Sequence, residues 1–265
     1  MKRIFRIVMS SILASASIKA EDWKWTKYGL PKSDLKTCTP TTRGNADKWW
    51  LPYFEEKLKQ PRKNLLFIGD SITDLWTYPA NHKYPGGLNV WNKKYKDVAT
   101  NFGITGDNTQ NVLWRLTEGN SLYNYFPRHI VILIGINNLI QSDTPEDTFA
   151  GIKTIVELLR KMRPNAKIML LGLFPCKEYP ADPIREKIKI VNTNLKGLAD
   201  YNEIYFADIG NVFLETDGSI RKEILRDFLH LSPKGYKIWA DAMGPYLRAF
   251  LNEGGKNDIW VRREY

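Results

Sequence analysis

Asn64-Leu-Leu-Phe-Ile-Gly-Asp-Ser-Ile-Thr-Asp74 is the stretch that decides the fold. Residues 64–69 form a short, unbroken apolar run ending in glycine, the pattern of a strand buried on both faces in a parallel sheet. A serine follows at once, at position 71, where a strand would turn into a helix. The same pattern recurs down the chain. Asp97 to Gly103 reads as a weaker strand and His129 to Gly135 as the strongest; Lys167 to Gly172 and Ile204 to Asp208 complete a set of five. Helical periodicity fills the gaps. Asn108 to Leu116 starts a helix, and Glu146 to Met162 places Phe149, Ile152, Ile155, Val156 and Leu159 on one face. Ile184 to Ala199 and Pro233 to Leu251 repeat the device. Five strands alternating with helices predict a doubly wound, three-layer α/β/α sandwich with a five-stranded parallel sheet. In such folds ligands lie beyond the C-terminal ends of the strands, so the residues just after each strand carry the interest.

Outside this block the sequence changes character. Lys2, Arg3 and Arg6 precede an apolar stretch, Ile7 to Ala14, and small residues run from Ala14 to Ala20, which predicts a cleavable signal peptide over residues 1–20 and export of the rest. Residues 21–62 form a polar, Trp-rich extension; Trp49, Trp50, Tyr53 and Phe54 are expected to pack it onto the main domain, and Lys57 to Lys63 reads as a charged linker. The main domain is expected over 63–252, with a tail at 253–265.

Composition narrows the function. The chain of 265 residues is 43% hydrophobic and 12% aromatic, enough for one large core. Its formal charge is +10, and removing residues 1–20 leaves +6; a solvated surface explains this charge, and no arginine-rich run or known motif points to a nucleic acid. No segment has the roughly 20 apolar residues that a membrane span needs. Three histidines (His82, His129 and His230) exclude a His-rich metal site, and no cofactor is expected. Cys38 and Cys176 either form one disulfide, tying the extension to the domain, or stay as two free thiols.

Four blocks can carry chemistry. Ser71 presents a hydroxyl at the sheet edge, its own N–H near a helix N-terminus where it can support an oxyanion; the plainer reading is that Asp70 or Ser71 caps that helix. In Asn101-Phe-Gly-Ile-Thr-Gly-Asp107, Gly106 can offer an unobstructed N–H, or simply make a turn. Asn137, after the third strand, can donate its side-chain N–H to a developing oxyanion, or cap the next loop. In Asp227-Phe-Leu-His230, the carboxylate can reach the imidazole Nδ1–H across one turn and fix its tautomer, with Phe228, Leu229 and Leu231 anchoring the loop; alternatively this is a structural ion pair.

The four blocks fall in order, each at a strand end or in the C-terminal loop, and together they resemble the SGNH/GDSL hydrolase family over roughly residues 64–250, with its flavodoxin-like fold. Within it the chain is similar to the catalytic-subunit branch of platelet-activating-factor acetylhydrolase, on Asn101 to Asp107, Val112-Leu-Trp-Arg-Leu116, Gly135-Ile-Asn-Asn138, Leu171 to Pro175 and Asp227 to Leu231. Many members carry Asp where Asn138 stands. The resemblance implies a serine esterase: Ser71 as nucleophile, His230 as acid–base catalyst, Asp227 as its partner, and an oxyanion hole from Ser71, Gly106 and Asn137. It implies a short acyl group, acetyl, on a small-molecule or polysaccharide alcohol, with a lysophospholipid or related lipid as the alternative, and it allows a homodimer. Trp76, Tyr78, Trp91 and Trp114 are candidates either for stacking on a sugar or for plain packing. Non-catalytic binding modules also exist on this fold, but they are expected to have lost residues that this chain retains.

Overall fold

The computed structural model describes residues 33–44 and 46–252. The expected signal peptide, the tail after residue 252 and the first part of the extension lie outside the described residues. From Asp34 onward the chain forms one compact unit. Its strands are β1 (Leu65–Gly69), β2 (Ala99–Gly103), β3 (His129–Leu133), β4 (Lys167–Leu171) and β5 (Ile204–Ala207), all parallel and ordered β2-β1-β3-β4-β5. β1, β2 and β3 are buried along their whole length, which explains why β1 and β3 read as near-continuous apolar runs rather than alternating ones. β2 reads more weakly because it carries Thr100 and Asn101, whose buried polar groups are hydrogen-bonded. Going from β1 to β2 and then back past β1 to β3 makes a topological switch between β1 and β3, where such sheets open a crevice at their C-terminal edge.

The helices are α1 (Trp50–Leu58), α2 (Ser71–Asp74), α3 (Leu88–Lys94), α4 (Thr109–Leu116), α5 (Ile136–Ile140), α6 (Pro145–Met162), α7 (Pro183–Lys196) and α8 (Pro233–Leu251). α4, α6 and α7 run side by side in one layer, and α3 packs with α8 in the other. The three long ones, α6, α7 and α8, start alike: Thr144, Asp182 and Ser232 cap them, each followed by proline, a residue that loses nothing at a position whose N–H has no helical partner. Trp76 and Trp91 are core residues, buried with Phe67, Tyr95, Tyr236 and Trp239; the rings of Trp76 and Trp239 stack with centroids 3.8 Å apart.

The described part of the extension is built into this body. Trp50 is fully buried in a cluster with Ala46, Phe54 and Ile104, its ring edge-on to Trp114. Upstream, Thr109 Oγ1 donates to the Thr37 carbonyl at 2.8 Å, and Asn111 Nδ2 to that of Thr41 at 2.8 Å. Cys38 and Cys176 are both buried and free, so hydrogen bonds and the Trp50 cluster hold the extension, and no covalent tie does. Lys57 corrects the expected linker. It lies in the last turn of α1, a helical repeat beyond Trp50 and Phe54 and therefore on their buried face, and its ammonium meets Asp74 at 2.7 Å with both groups almost sealed from water.

Burial pulls Lys57 below the usual lysine range while the Asp74 carboxylate opposes it. Removing one partner of a buried pair costs about 3–5 kcal/mol. Lys57→Met should therefore lower stability by about 3 kcal/mol, the low end, because Asp74 keeps other donors. The urea midpoint measures it; an unchanged midpoint would mean that those donors suffice alone.

Candidate active site

The register sets the stage. Gly69 of β1 stands level with Gly103 of β2 and with Leu133 of β3, so the loops that follow leave the sheet from one edge. Ser71, Gly106 and Asn137 sit two to four residues beyond those marks. At Gly103 the backbone of α2 comes so close that an added Cβ would lie 2.3 Å from the Asp74 nitrogen, which is how the β2 loop is drawn onto the serine helix.

Asp70 does what the plainer reading allowed: its Oδ1 accepts from Ile72 N–H at 2.9 Å and caps α2. Ser71 is thereby left for something else. Its Oγ lies 2.9 Å from His230 Nε2, and His230 Nδ1 lies 2.7 Å from Asp227 Oδ2. The other Asp227 oxygen accepts from the backbone N–H of Leu229 (3.1 Å) and of His230 (2.7 Å). The turn needs Phe228 in the left-handed region at φ 61°. Its flanks are pinned by the Leu225–Leu231 bridge and by Arg226, whose Nη1 donates to the carbonyls of Pro85 and Leu231. Of the three apolar residues expected to anchor this loop, only Leu231 is buried; Phe228 and Leu229 are half-buried, because the turn carries them out to the rim.

Partial burial works to raise the Asp227 carboxyl, but the hydrogen bonds from the His230 ring and backbone, with the charges of His230 and Arg226, outweigh it and hold Asp227 well below the usual carboxylate range. An ionised carboxylate on Nδ1 keeps Nε2 free to accept a proton from the serine.

Gly106 has φ +78°, the left-handed region that favours glycine. Asn137 Nδ2 donates to the Asp107 carbonyl at 2.9 Å; this fixes the amide, whose second proton remains a donor. Asn138, one residue on, is a structural tie: it is fully buried, accepts from Thr109 N–H at 3.0 Å and donates to Asp143 at 3.0 Å.

Several residues that hold this edge together escaped the sequence. Asp74 accepts from Tyr53 O–H at 2.6 Å as well as from Lys57, and its second oxygen takes both the N–H (3.0 Å) and the hydroxyl (2.7 Å) of Thr105. Asp107 accepts from Trp50 Nε1 at 2.7 Å and pairs with Arg115 at 2.8 Å. Arg115, wholly buried, also donates to the carbonyls of Phe102 and Gly69, joining the ends of β2 and β1. Burial still pushes the Asp107 carboxyl up to about 6 against the pull of Arg115 and Trp50. An arginine and an aspartate eight positions apart carry no spacing signal; only the likeness over Val112 to Leu116 marked the place.

Beside His230 opens a cleft of about 710 Å³. Trp49, Pro52, Tyr53 and Glu56 of the extension form part of its lining; Leu75, Tyr78 and Tyr84 contribute further, with Thr105, Arg226 and Asp227 nearby. Of the four aromatic candidates from the sequence, Tyr78 alone lines the cleft: Trp76 and Trp91 are core, and Trp114 packs on Trp50 and Phe54. Trp49 and Tyr84, both exposed, take the place expected for the others.

A doubly wound sheet with a hydroxyl, an imidazole and a carboxylate hydrogen-bonded in series at its C-terminal edge defines the class of serine-dependent hydrolases. The GDSL-like lipase/acylhydrolase family model matches residues 67–238, and the chain belongs to that family. It is a carboxylic ester hydrolase. The platelet-activating factor acetylhydrolase IB subunit alpha1 of Rattus norvegicus is 36% identical over 203 residues, covering 75% of this chain and 82% of that protein. Among solved structures, a GDSL-like lipase from Bacteroides thetaiotaomicron (TM-score 0.59, 19% identity, 77% of this chain and 98% of that one) shares the fold. So does an acetyl-xylooligosaccharide esterase mutant from Geobacillus (TM-score 0.56, 24% identity, 73% and 96%).

Burial pushes the Asp70 carboxyl up to about 7, against the pull of Ile72 N–H and His230, and its Oδ2 has no hydrogen-bond partner among the described residues. A carboxyl whose folded pKa exceeds its unfolded one contributes stability below the unfolded value and loses it as pH rises through the folded one. Asp70→Asn keeps the capping oxygen and removes the ionisation. Its melting temperature should therefore gain on wild type between about pH 4 and pH 7, and the gain should level off above that. Melting curves that run parallel across that range would show Asp70 to be an ordinary cap.

Proposed function

We propose that the protein is an exported O-acetylesterase acting on carbohydrate, with Ser71 as nucleophile, His230 as general base and acid, and Asp227 as its orienting carboxylate. The observation that carries this reading is the unbroken relay from Ser71 through His230 to Asp227, at 2.9 and 2.7 Å, opening on an aromatic cleft. Ser71 Oγ passes its proton to His230 Nε2 and bonds to the ester carbonyl carbon. The backbone N–H groups of Ser71 and Gly106 and the Asn137 amide hold the negative oxygen. His230 then gives the proton to the departing alkoxide, leaving an acyl-serine. Water, deprotonated by the same imidazole, attacks it, and the acid leaves as Ser71 recovers its proton.

The lining favours a sugar. Sugar rings lay apolar C–H faces on aromatic rings and their hydroxyls on polar groups; Trp49, Tyr53, Tyr78 and Tyr84 offer the rings, Glu56 and Arg226 the polar groups. Among the described residues Pro52 and Leu75 are the only aliphatic walls, few for an alkyl chain. The similarity to an acetyl-xylooligosaccharide esterase supports the same reading. The identity with an acetylhydrolase of platelet-activating factor favours a second one, removal of acetyl from a phospholipid. Export rests on the pattern of residues 1–20.

Ser71→Ala should abolish hydrolysis of p-nitrophenyl acetate and labelling by a fluorophosphonate, with thermal unfolding unchanged; labelling that persists at another serine would overturn the assignment. Among p-nitrophenyl esters from acetate to octanoate, acetate should give the highest kcat/KM, and acetylated xylo-oligosaccharides should be cleaved faster than an sn-2 acetyl phospholipid. The reverse order would select the lipid reading. Because Asp227 stays ionised far into acid, its protonation should not limit the rate in mild acid. Asp227→Asn should cut kcat by up to about 10⁴-fold, since the wrong tautomer then competes, and a full-rate variant would reduce the site to a Ser–His pair.

A further inference from the structure

We infer that Arg43, in the N-terminal extension, is a positioning residue for the oxyanion donor at Gly106. The inference rests on the esterase reading above. Arg43 Nη1 donates to the carbonyl of Thr105 at 2.8 Å, and its guanidinium covers the next residue so closely that a Cβ on Gly106 would lie 1.8 Å from Nη1. The guanidinium also stands 5.1 Å over the ring of Trp49, a wall of the cleft.

The geometry of the peptide unit does the rest. In a planar trans peptide the C=O and the N–H point in opposite directions. The carbonyl of Thr105 and the N–H of Gly106 belong to one such plane. Holding the carbonyl toward Arg43 therefore turns the Gly106 N–H away from Arg43. Among the described residues none accepts a hydrogen bond from that N–H, which leaves it available to an oxyanion. The clamp has a second jaw: Asp74 Oδ2 binds the N–H and hydroxyl of Thr105. Thr105 is thus fixed at three polar atoms. A glycine at φ +78° has no Cβ to resist rotation of its flanking peptides, so without Arg43 the plane is free to turn and swing the donor out of line.

Arg43 acts here through a backbone amide and needs no contact with the substrate. Its loss should lower kcat and leave KM for p-nitrophenyl acetate where it was, because the donor matters only once negative charge develops on the carbonyl oxygen. Complete removal of an oxyanion donor costs about 10²–10³-fold in kcat; a donor that is loosened but still present should cost about tenfold or somewhat more. The acid limb of the pH profile should stay in place, since the His230–Asp227 pair is untouched.

The test uses full-length protein. Arg43→Ala should show the kcat loss at unchanged KM, and ethylguanidinium added to it should restore part of the rate while doing nothing to wild type. Arg43→Lys keeps the aliphatic stem and one N–H donor on the Thr105 carbonyl, so it should fall between the two; it also serves if Arg43→Ala fails to fold. A folded Arg43→Ala with wild-type kcat would overturn the proposal. So would a loss confined to KM, which would make Arg43 a substrate-binding group, or a shift of the acid limb, which would place its effect on His230. Absence of esterase activity in wild type would defeat the underlying reading instead, and these outcomes are read only against an active parent.

Discussion

Two carboxylates, Asp74 and Asp107, lie between the ends of β1, β2 and β3 with no access to water. A buried charge must be paired and its lone pairs filled, or the structure holding it fails. The rest of the catalytic edge follows from meeting that demand. Lys57 and Trp50, seven residues and two turns apart at the ends of one short helix, each reach a different carboxylate. Arg115 reaches the second one from α4 and fastens two strand carbonyls on the way. The loop after β2 is drawn in as well: Asp74 binds the N–H of Thr105, and the carbonyl of Asp107 accepts from the side chain of Asn137 beyond β3. Loops that would otherwise wander at the end of a sheet are thus held by charge neutralisation at their roots.

This arrangement explains why a relay of three side chains can hang partly on a surface turn. His230 and Asp227 belong to a hairpin of few buried residues, and half of the Asp227 side chain is open to solvent (49%). The turn compensates with backbone: two N–H groups on one carboxylate oxygen and the imidazole on the other. Half-exposure costs that carboxylate little of its ionisation, because hydrogen bonds to a charged group act at short range and need no dry surroundings.

The sheet and its order of elements were legible because most of its doubly covered strands are dominated by Val, Ile, Leu and Phe, and runs such as Ile130 to Ile134 are plain, while β2, with Thr100 and Asn101, gave the weakest signal. The order of the four chemical blocks was legible for a related reason: each falls directly after a strand, and the fold sends all strand ends one way. What stayed hidden is what depends on distance in space. Lys57 looked like part of a charged linker, since sequence does not show which face of a short helix will be covered. Arg43 carries no signal in the sequence that would single it out. Trp76 and Trp91 could be placed near the serine but not turned inward or outward, as an aromatic residue serves a core and a cleft equally well. Trp49, expected to pack the extension down, is exposed and lines the cleft instead, and Tyr84 gave no signal, because their use depends on the loops opposite.

The built-in extension also sets an order of assembly. On the ribosome Thr37, Trp50 and Lys57 emerge well before their partners: Asp74 follows Lys57 by 17 residues, Asp107 follows Trp50 by 57 and Thr109 follows Thr37 by 72. Contacts that close such loops form late in folding. A nascent chain therefore carries an uncovered aromatic segment until β2 and α4 are made, and the extension is among the last parts to find its place.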